Sequence, residues 1–119
     1  MSRPSGRQSS APASRGATMD PRKAALGRIA DLIARGYDAG RLRREAEAVI
    51  AGLSGTMDHD ALRDVLDEVR EQLEAGVEAA EEQASEIDSD DKVSARNVQR
   101  MVGAMTAARD AFGRAASAL

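Results

Sequence analysis

A row of apolar residues with alternating spacings of three and four runs through the last third of this chain. Its members are Val98, Met101, Met105, Ala108, Phe112, Ala115 and Leu119. This spacing keeps one narrow stripe of a helix turned toward a neighbouring helix, so the row is typical of the contact line of a coiled coil or a helix pair. We call such a row a seam, and its presence predicts that another helix covers this one.

The apolar content comes from small and aliphatic residues, with one Tyr, one Phe and no Trp in 119 residues. A chain of this length forms one domain at most, and alanine-rich helices bury little area in each contact. We therefore expect a second copy or another protein to complete the buried surface. The absence of cysteine excludes disulfides, thiolate zinc sites and cysteine nucleophiles. With no apolar run of about 20 residues, the sequence predicts a cytoplasmic or nuclear location and no membrane contact.

Composition divides the chain into a tail and a single helical domain. Residues 1–19 are rich in Ser, Pro, Gly and Ala, and their only charges are arginines. Such a segment buries too little apolar surface to offset its ordering entropy, which predicts a disordered basic tail. Residues 20–119 carry helical periodicity throughout and form the predicted domain.

Helix start and stop signals divide the domain into four helices. Asp20 followed by Pro21 is typical of a helix start, Gly36 of a stop, and Ser94 of the N-cap of the last helix. The sequence predicts an all-α fold, a small bundle of four helices with a long antiparallel helical hairpin. The predicted helices cover about residues 21–35, 41–53, 59–87 and 94–118.

Charge separates sharply between the last two helices. Residues 54–91 carry fourteen acidic and two basic side chains, a net charge of −12, whereas residues 92–119 carry five basic and one acidic, a net charge of +4. Opposite charges beside the seam favour pairing of these two helices as a hairpin. The surplus of acid on the third helix leaves it available to a basic partner.

No arrangement of residues predicts catalysis or a cofactor. His59 is the only histidine, and its neighbours Asp58 and Asp60 are typical of the first turn of a helix as well as of a metal ligand set. Four glutamates of the third helix lack the Glu-x-x-His motif of di-iron bundles and fit a solvated acidic face. They are Glu78, Glu81, Glu82 and Glu86. We expect no enzyme, no metal and no cofactor.

The segment Lys92-Val93-Ser94-Ala95-Arg96-Asn97-Val98 resembles the stretch that leads into the third helix of histone-fold proteins. There a basic residue, a β-branched residue, a Ser or Thr cap and an acidic or amide residue precede a Val or Ile. The resemblance covers about residues 41–107 and implies that residues 41–53, 60–86 and 94–107 correspond to the three histone-fold helices. It implies a dimerising protein associated with nucleic acid or a chromatin-type complex.

Two functions follow as expectations. The first is a non-enzymatic protein–protein interaction or assembly module that binds a partner helix or a second copy through the seam of the last two helices. The residues assigned to that contact are Leu66, Val69, Leu73, Met101, Met105 and Phe112. The alternative is the histone-fold-like protein, with phosphate contacts from Arg41, Arg43 and Arg44. The sequence leaves open whether the seam packs within the chain or against another chain.

Overall fold

The computed structural model describes residues 20–119 of the protein, and this part of the chain contains four α-helices and no strand. The helices are α1 (Pro21–Ala34), α2 (Ala39–Ser54), α3 (His59–Ser85) and α4 (Lys92–Ala118). The prediction of an all-α bundle of four helices is confirmed. The predicted disordered tail, residues 1–19, lies outside the described residues.

An aspartate caps the start of every one of these helices. The side chain of Asp20 accepts the backbone N–H of Arg22 at 2.9 Å, and Pro21 occupies the first helical turn. Asp38, Asp58 and Asp91 each accept the backbone N–H three residues ahead, at 2.9 to 3.1 Å. Each cap satisfies an N–H group that has no partner inside the helix, which fixes where the helix begins.

Two of these caps move helix starts away from the predicted positions. Helix α4 begins at Lys92 because Asp91, not Ser94, is its N-cap, and Ser94 instead donates its backbone N–H to that aspartate. Helix α2 begins at Ala39 because Asp38 caps it. At the other end of α1, Gly36 adopts a φ of +95°, as expected of the glycine that stops a helix.

Helices α3 and α4, each of 27 residues, pair as a long antiparallel hairpin, and theirs is the most extensive helix contact. At the base of the hairpin, Nε2 of His59 lies 3.2 Å from the backbone oxygen of Leu119. Midway along it, a Cβ on Gly76 would lie 3.1 Å from Sδ of Met105. Gly76 therefore allows the two helices to approach closely at this point.

Helices α1 and α2 pack on one side of this hairpin. The contact between α2 and α4 is the second most extensive, and α1 packs mainly on α3. Arg22 forms an ion pair with Glu68 at 2.7 Å, which places the start of α1 beside α3, and Arg28 of α1 pairs with Glu45 of α2 at 3.4 Å. We call the side occupied by α1 and α2 the covered face, and the opposite side the open face.

One hydrophobic core lies between the covered face of the hairpin and the two shorter helices. All four helices contribute to it, and its largest fully buried side chain is Phe112. The buried members from α1 and α2 are Ala25, Ile29, Leu32, Ile33, Leu42 and Ala46. Those from α3 and α4 are Leu62, Val65, Leu66, Val69, Leu73, Ala104, Ala108, Ala111 and Phe112. Among the described residues, none of the four helices is long and apolar enough to cross a bilayer.

Candidate protein-interaction surface

The structure divides the six predicted partner-binding residues into two groups. Leu66, Val69, Leu73 and Phe112 lie in the core with at most 6% of their surface exposed. Met101 and Met105 are only partly buried at the edge of the same core. The predicted contact residues are therefore used largely within the chain, and these two methionines are the ones that still face solvent.

Met101 and Met105 line a groove between α1 and α4 of about 380 Å³. The wall on the α1 side consists of Ala30, Ile33 and Ala34, and Asn97 and Arg100 complete the lining on the α4 side. Ala30 and Ala34 are exposed, so nothing in the described part of the chain covers the outer rim. A groove with an apolar wall and two flexible thioether side chains can accommodate apolar side chains of different shapes.

Arg100 holds the two walls of this groove together. Its Nη1 donates to the backbone oxygens of Ile33 and Tyr37, both at 3.2 Å, and its Nη2 donates to Oδ1 of Asn97 at 2.9 Å. The last carbonyl groups of a helix have no partner within the helix, and a cation there also offsets the helix dipole. Arg100 thus caps the C-terminal end of α1 from the middle of α4.

Sequence reasoning missed Arg100 and two small core residues. The bonds of Arg100 span more than sixty residues, and no local pattern signals such a contact. Ala104 and Ala111 are buried on α4, whose second most extensive contact is with α2, but they lie beside the seam rather than on it. A second line of alanines on α4 was the signal for this contact, since small residues allow two helices to approach closely.

The three arginines assigned to phosphate contacts share the start of α2 but have different surroundings. The guanidinium carbon of Arg41 lies 4.3 Å from the centre of the Tyr37 ring, within the range of a cation–π contact. Arg43 and Arg44 are exposed and form no ion pair within 4 Å with the described residues. Only these two remain fully available to an anionic partner.

The acidic surface of α3 faces solvent. Glu78, Glu81, Glu82 and Glu86 are exposed, and within residues 20–119 no ion pair shorter than 4 Å joins α3 to α4. Apolar packing therefore holds the hairpin together. Each helix keeps most of its charge at the surface, where a partner can reach it.

At the tip of the hairpin, the side-chain hydrogen bond with Ser94, followed by the bond from the Ser94 backbone, lowers the pKa of Asp91. Both bonds favour the ionised carboxylate. His59 is exposed at the opposite end of the hairpin. Within residues 20–119 no three His, Cys, Asp or Glu side chains are grouped so that they could hold a metal ion.

Comparisons with family models, with curated proteins and with solved structures give no match to this chain. The resemblance to histone-fold proteins stays a prediction. The segment that carries it lies at the start of α4, which continues without a break to Ala118. The function of the chain must accordingly be argued from its own surface.

Proposed function

We propose that this chain is a non-enzymatic protein–protein interaction module that binds a partner helix in the groove between α1 and α4, in the cytoplasm. One observation carries the proposal: of the six predicted contact residues, Met101 and Met105 are the two left partly exposed, and both line that groove. Four predicted contact residues are buried in the core, so a partner would have to open the bundle to reach them. A partner can reach the groove without opening the bundle.

The chemistry of the groove fits an amphipathic helix. Such a helix places one apolar stripe in a groove and keeps its polar side in water. The unbranched methionine side chains can rearrange around the stripe, and the small side chains of Ala30 and Ala34 let the partner backbone approach α1. Because Arg100 ties α1 to α4, the two walls are held in place before a partner binds.

Site-specific crosslinking tests this proposal in the host of the protein. A photoreactive amino acid replaces Ala34 at the rim of the groove, and in a matched variant it replaces Ala48, an exposed alanine of α2 outside the groove. We expect crosslinking to one defined polypeptide from position 34 and not from position 48. The same products from both positions, or none from position 34, would contradict the proposal.

A blocking substitution provides the second arm. Ala34→Arg adds a long charged side chain at the rim without touching the core, so the fold should be retained. We expect it to weaken binding of the crosslinked polypeptide at least about tenfold, since an unpaired charge would face an apolar surface. Ala48→Arg is the matched control and should leave the dissociation constant unchanged.

Arg43 and Arg44 support a second candidate, association with nucleic acid on a histone-like dimer. Both side chains are exposed and free of ion pairs with the described residues, as phosphate contacts require. The logarithm of the binding constant falls linearly with the logarithm of the salt concentration, with a slope of about −0.9 per phosphate contact in double-stranded DNA. Band-shift assays over a series of salt concentrations, with the wild type and with the Arg43→Gln/Arg44→Gln variant, test it. A complex that keeps the same salt slope in this variant would remove these arginines from the interface.

A further inference from the structure

The open face of the hairpin is a second surface, separate from the groove. Near the base it forms a depression of about 590 Å³ lined only by residues of α3 and α4. Near the tip a smaller depression of about 320 Å³ is lined only by the two helices and the turn between them. Neither α1 nor α2 reaches these positions, so the open face has no partner within residues 20–119.

Acidic side chains form a row along the α3 edge of this face. Asp67 and Glu74 line the depression at the base, and Glu81 follows seven residues after Glu74. Residues spaced by seven lie on one side of a helix, so the three carboxylates point the same way. We call them the acidic row.

Basic side chains of α4 also border this face, and we call them the basic group. Arg109 and Arg114 line the depression at the base, and Arg96 lines the one at the tip. Arg96 and Arg114 lie on one side of α4, whereas Arg109 lies about 140° around the helix from both. Their local partners lie on their own helices: Arg109 pairs with Asp110 at 3.0 Å, and Glu74 of the acidic row pairs with Arg70 at 3.4 Å. Within the described residues no member of the basic group forms an ion pair with the acidic row.

At the base of the hairpin, the acidic and basic side chains lie at matching heights. A Cβ on Gly113 would lie 3.1 Å from Cδ of Arg70, so these two residues face each other across the open face. Asp67 lies about one turn below Arg70, and Arg114 follows Gly113, which puts both charges near the base. Glu74 lies about one turn above Arg70, and Arg109 about one turn above Gly113.

From this geometry we propose that the open face binds the open face of a second copy of this chain. The two copies are related by a two-fold axis parallel to the helices. This axis places α3 of each copy against α4 of the other, so at the base Asp67 and Glu74 of each copy lie at about the heights of Arg114 and Arg109 of the other. A two-fold axis across the helices would instead place α3 against α3, with acid against acid. Charge thus selects one of the two symmetric arrangements.

The residues of α4 that lie between Arg109 and Arg114 around the helix permit this approach. Val102, Thr106 and Gly113 are half-buried and small or β-branched, so this strip of the face carries no large side chain. The same composition limits the apolar area that the dimer can bury. Its affinity therefore depends on the charged side chains, and salt must weaken it because exposed charges are screened.

Paired charge reversals test the dimer in solution. One variant carries Arg109→Glu and Arg114→Glu, and the other carries Asp67→Lys and Glu74→Lys. Sedimentation equilibrium at low salt measures the dissociation constant of each variant and of their equimolar mixture. We expect each reversal alone to raise the dissociation constant at least about tenfold, because it creates like-charge contacts on both sides of the axis. The mixture should restore association, since acid again faces base at every position.

The controls separate this interface from other effects. The Arg43→Glu/Arg44→Glu variant changes the same number of charges on α2 and should dimerise as the wild type does. Circular dichroism checks that each reversed variant keeps its helices. Monomers at every concentration at low salt, or a dimer that tolerates both reversals, would overturn the proposal. Ala34 lies at the groove on the other side of the hairpin, so Ala34→Arg should leave dimerisation unchanged. The dimer proposal and the groove proposal can therefore each be contradicted without affecting the other.

Discussion

The two faces of the α3–α4 hairpin share a seven-residue repeat but differ in the side chains placed on it. The covered face carries large apolar residues such as Leu66, Val69 and Phe112, all within 1% of complete burial. The open face carries Val102, Thr106 and Gly113 among charged side chains of both helices. The covered face therefore supplies most of the stability of the fold, because exposed ion pairs contribute little to stability. In the proposed dimer, the open face would supply the selectivity.

The largest expected effect comes from truncating the covered face. Phe112→Ala removes a ring that is completely buried and leaves a cavity in the core, which costs about 3–5 kcal/mol of unfolding free energy. Gln99→Ala on the open face is the matched change and should stay within about 0.5 kcal/mol. Urea denaturation of both variants at low protein concentration measures the difference. Equal losses for the two variants would erase the distinction between the faces.

Removing the cap at the end of α1 should have a smaller effect. Arg100→Met keeps an unbranched apolar stem but removes the guanidinium, so the Tyr37 oxygen loses this donor and the Ile33 oxygen keeps the backbone N–H of Gly36, at a cost of about 1–2 kcal/mol. Arg96→Met, one turn earlier and exposed, is the control and should be near neutral. Amide hydrogen exchange should show α1 opening more often in the Arg100 variant. Unchanged exchange in α1 would mean that its other contacts hold this helix without the cap.

Two glycine substitutions measure how closely α3 and α4 approach. Gly27→Ala introduces a Cβ that meets nothing within 4 Å, so it should stabilise the protein by about 1 kcal/mol through helix propensity. Gly76→Ala gains the same propensity, but its Cβ lies 3.1 Å from Sδ of Met105. We expect that crowding to cancel most of the gain in the melting temperature. Equal stabilisation in both variants would show that Met105 yields freely.

The smallest effect concerns the hairpin tip, which neither α1 nor α2 covers. The lowered pKa of Asp91 means that its carboxylate stabilises the folded tip above its ordinary pKa of about 4. This contribution is lost as the pH falls through the lower value of the folded state. In NMR spectra, the chemical shift of the Ser94 amide should change with pH as Asp91 titrates. This change should be absent in the Asp91→Asn variant. The Asp90→Asn variant is the control and should keep the pH-dependent shift. A titration midpoint above that of a free aspartate would contradict the assignment of Asp91 as the cap.

The local parts of this fold could be predicted from sequence, and the long-range parts could not. Asp20, Gly36 and the seam act within one or two helical turns, so their positions gave the helices and the hairpin. At the tip, Asp88, Asp90, Asp91 and Ser94 are all good caps, and only the folded backbone distinguishes among them. The bonds of Arg100 depend on how α1 lies against α4, which no spacing in the sequence encodes.

The candidate site was only half predictable for a related reason. Met101 and Met105 share the seam with Phe112, and periodicity alone does not tell which members α1 and α2 will cover. The charge difference between α3 and α4 was visible, yet within residues 20–119 no ion pair joins the two helices. The charged side chains lie on the outer flanks of the contact, where their distance across the seam exceeds that of an ion pair.

The stacking of Arg41 on Tyr37 has a practical consequence for measurement. Tyr37 is the only tyrosine, and the chain has no tryptophan, so ultraviolet emission arises essentially from the turn between α1 and α2. Circular dichroism, by contrast, averages over every helical residue. A heating curve recorded by both signals would show whether the two short helices detach before the long hairpin melts, without any attached label.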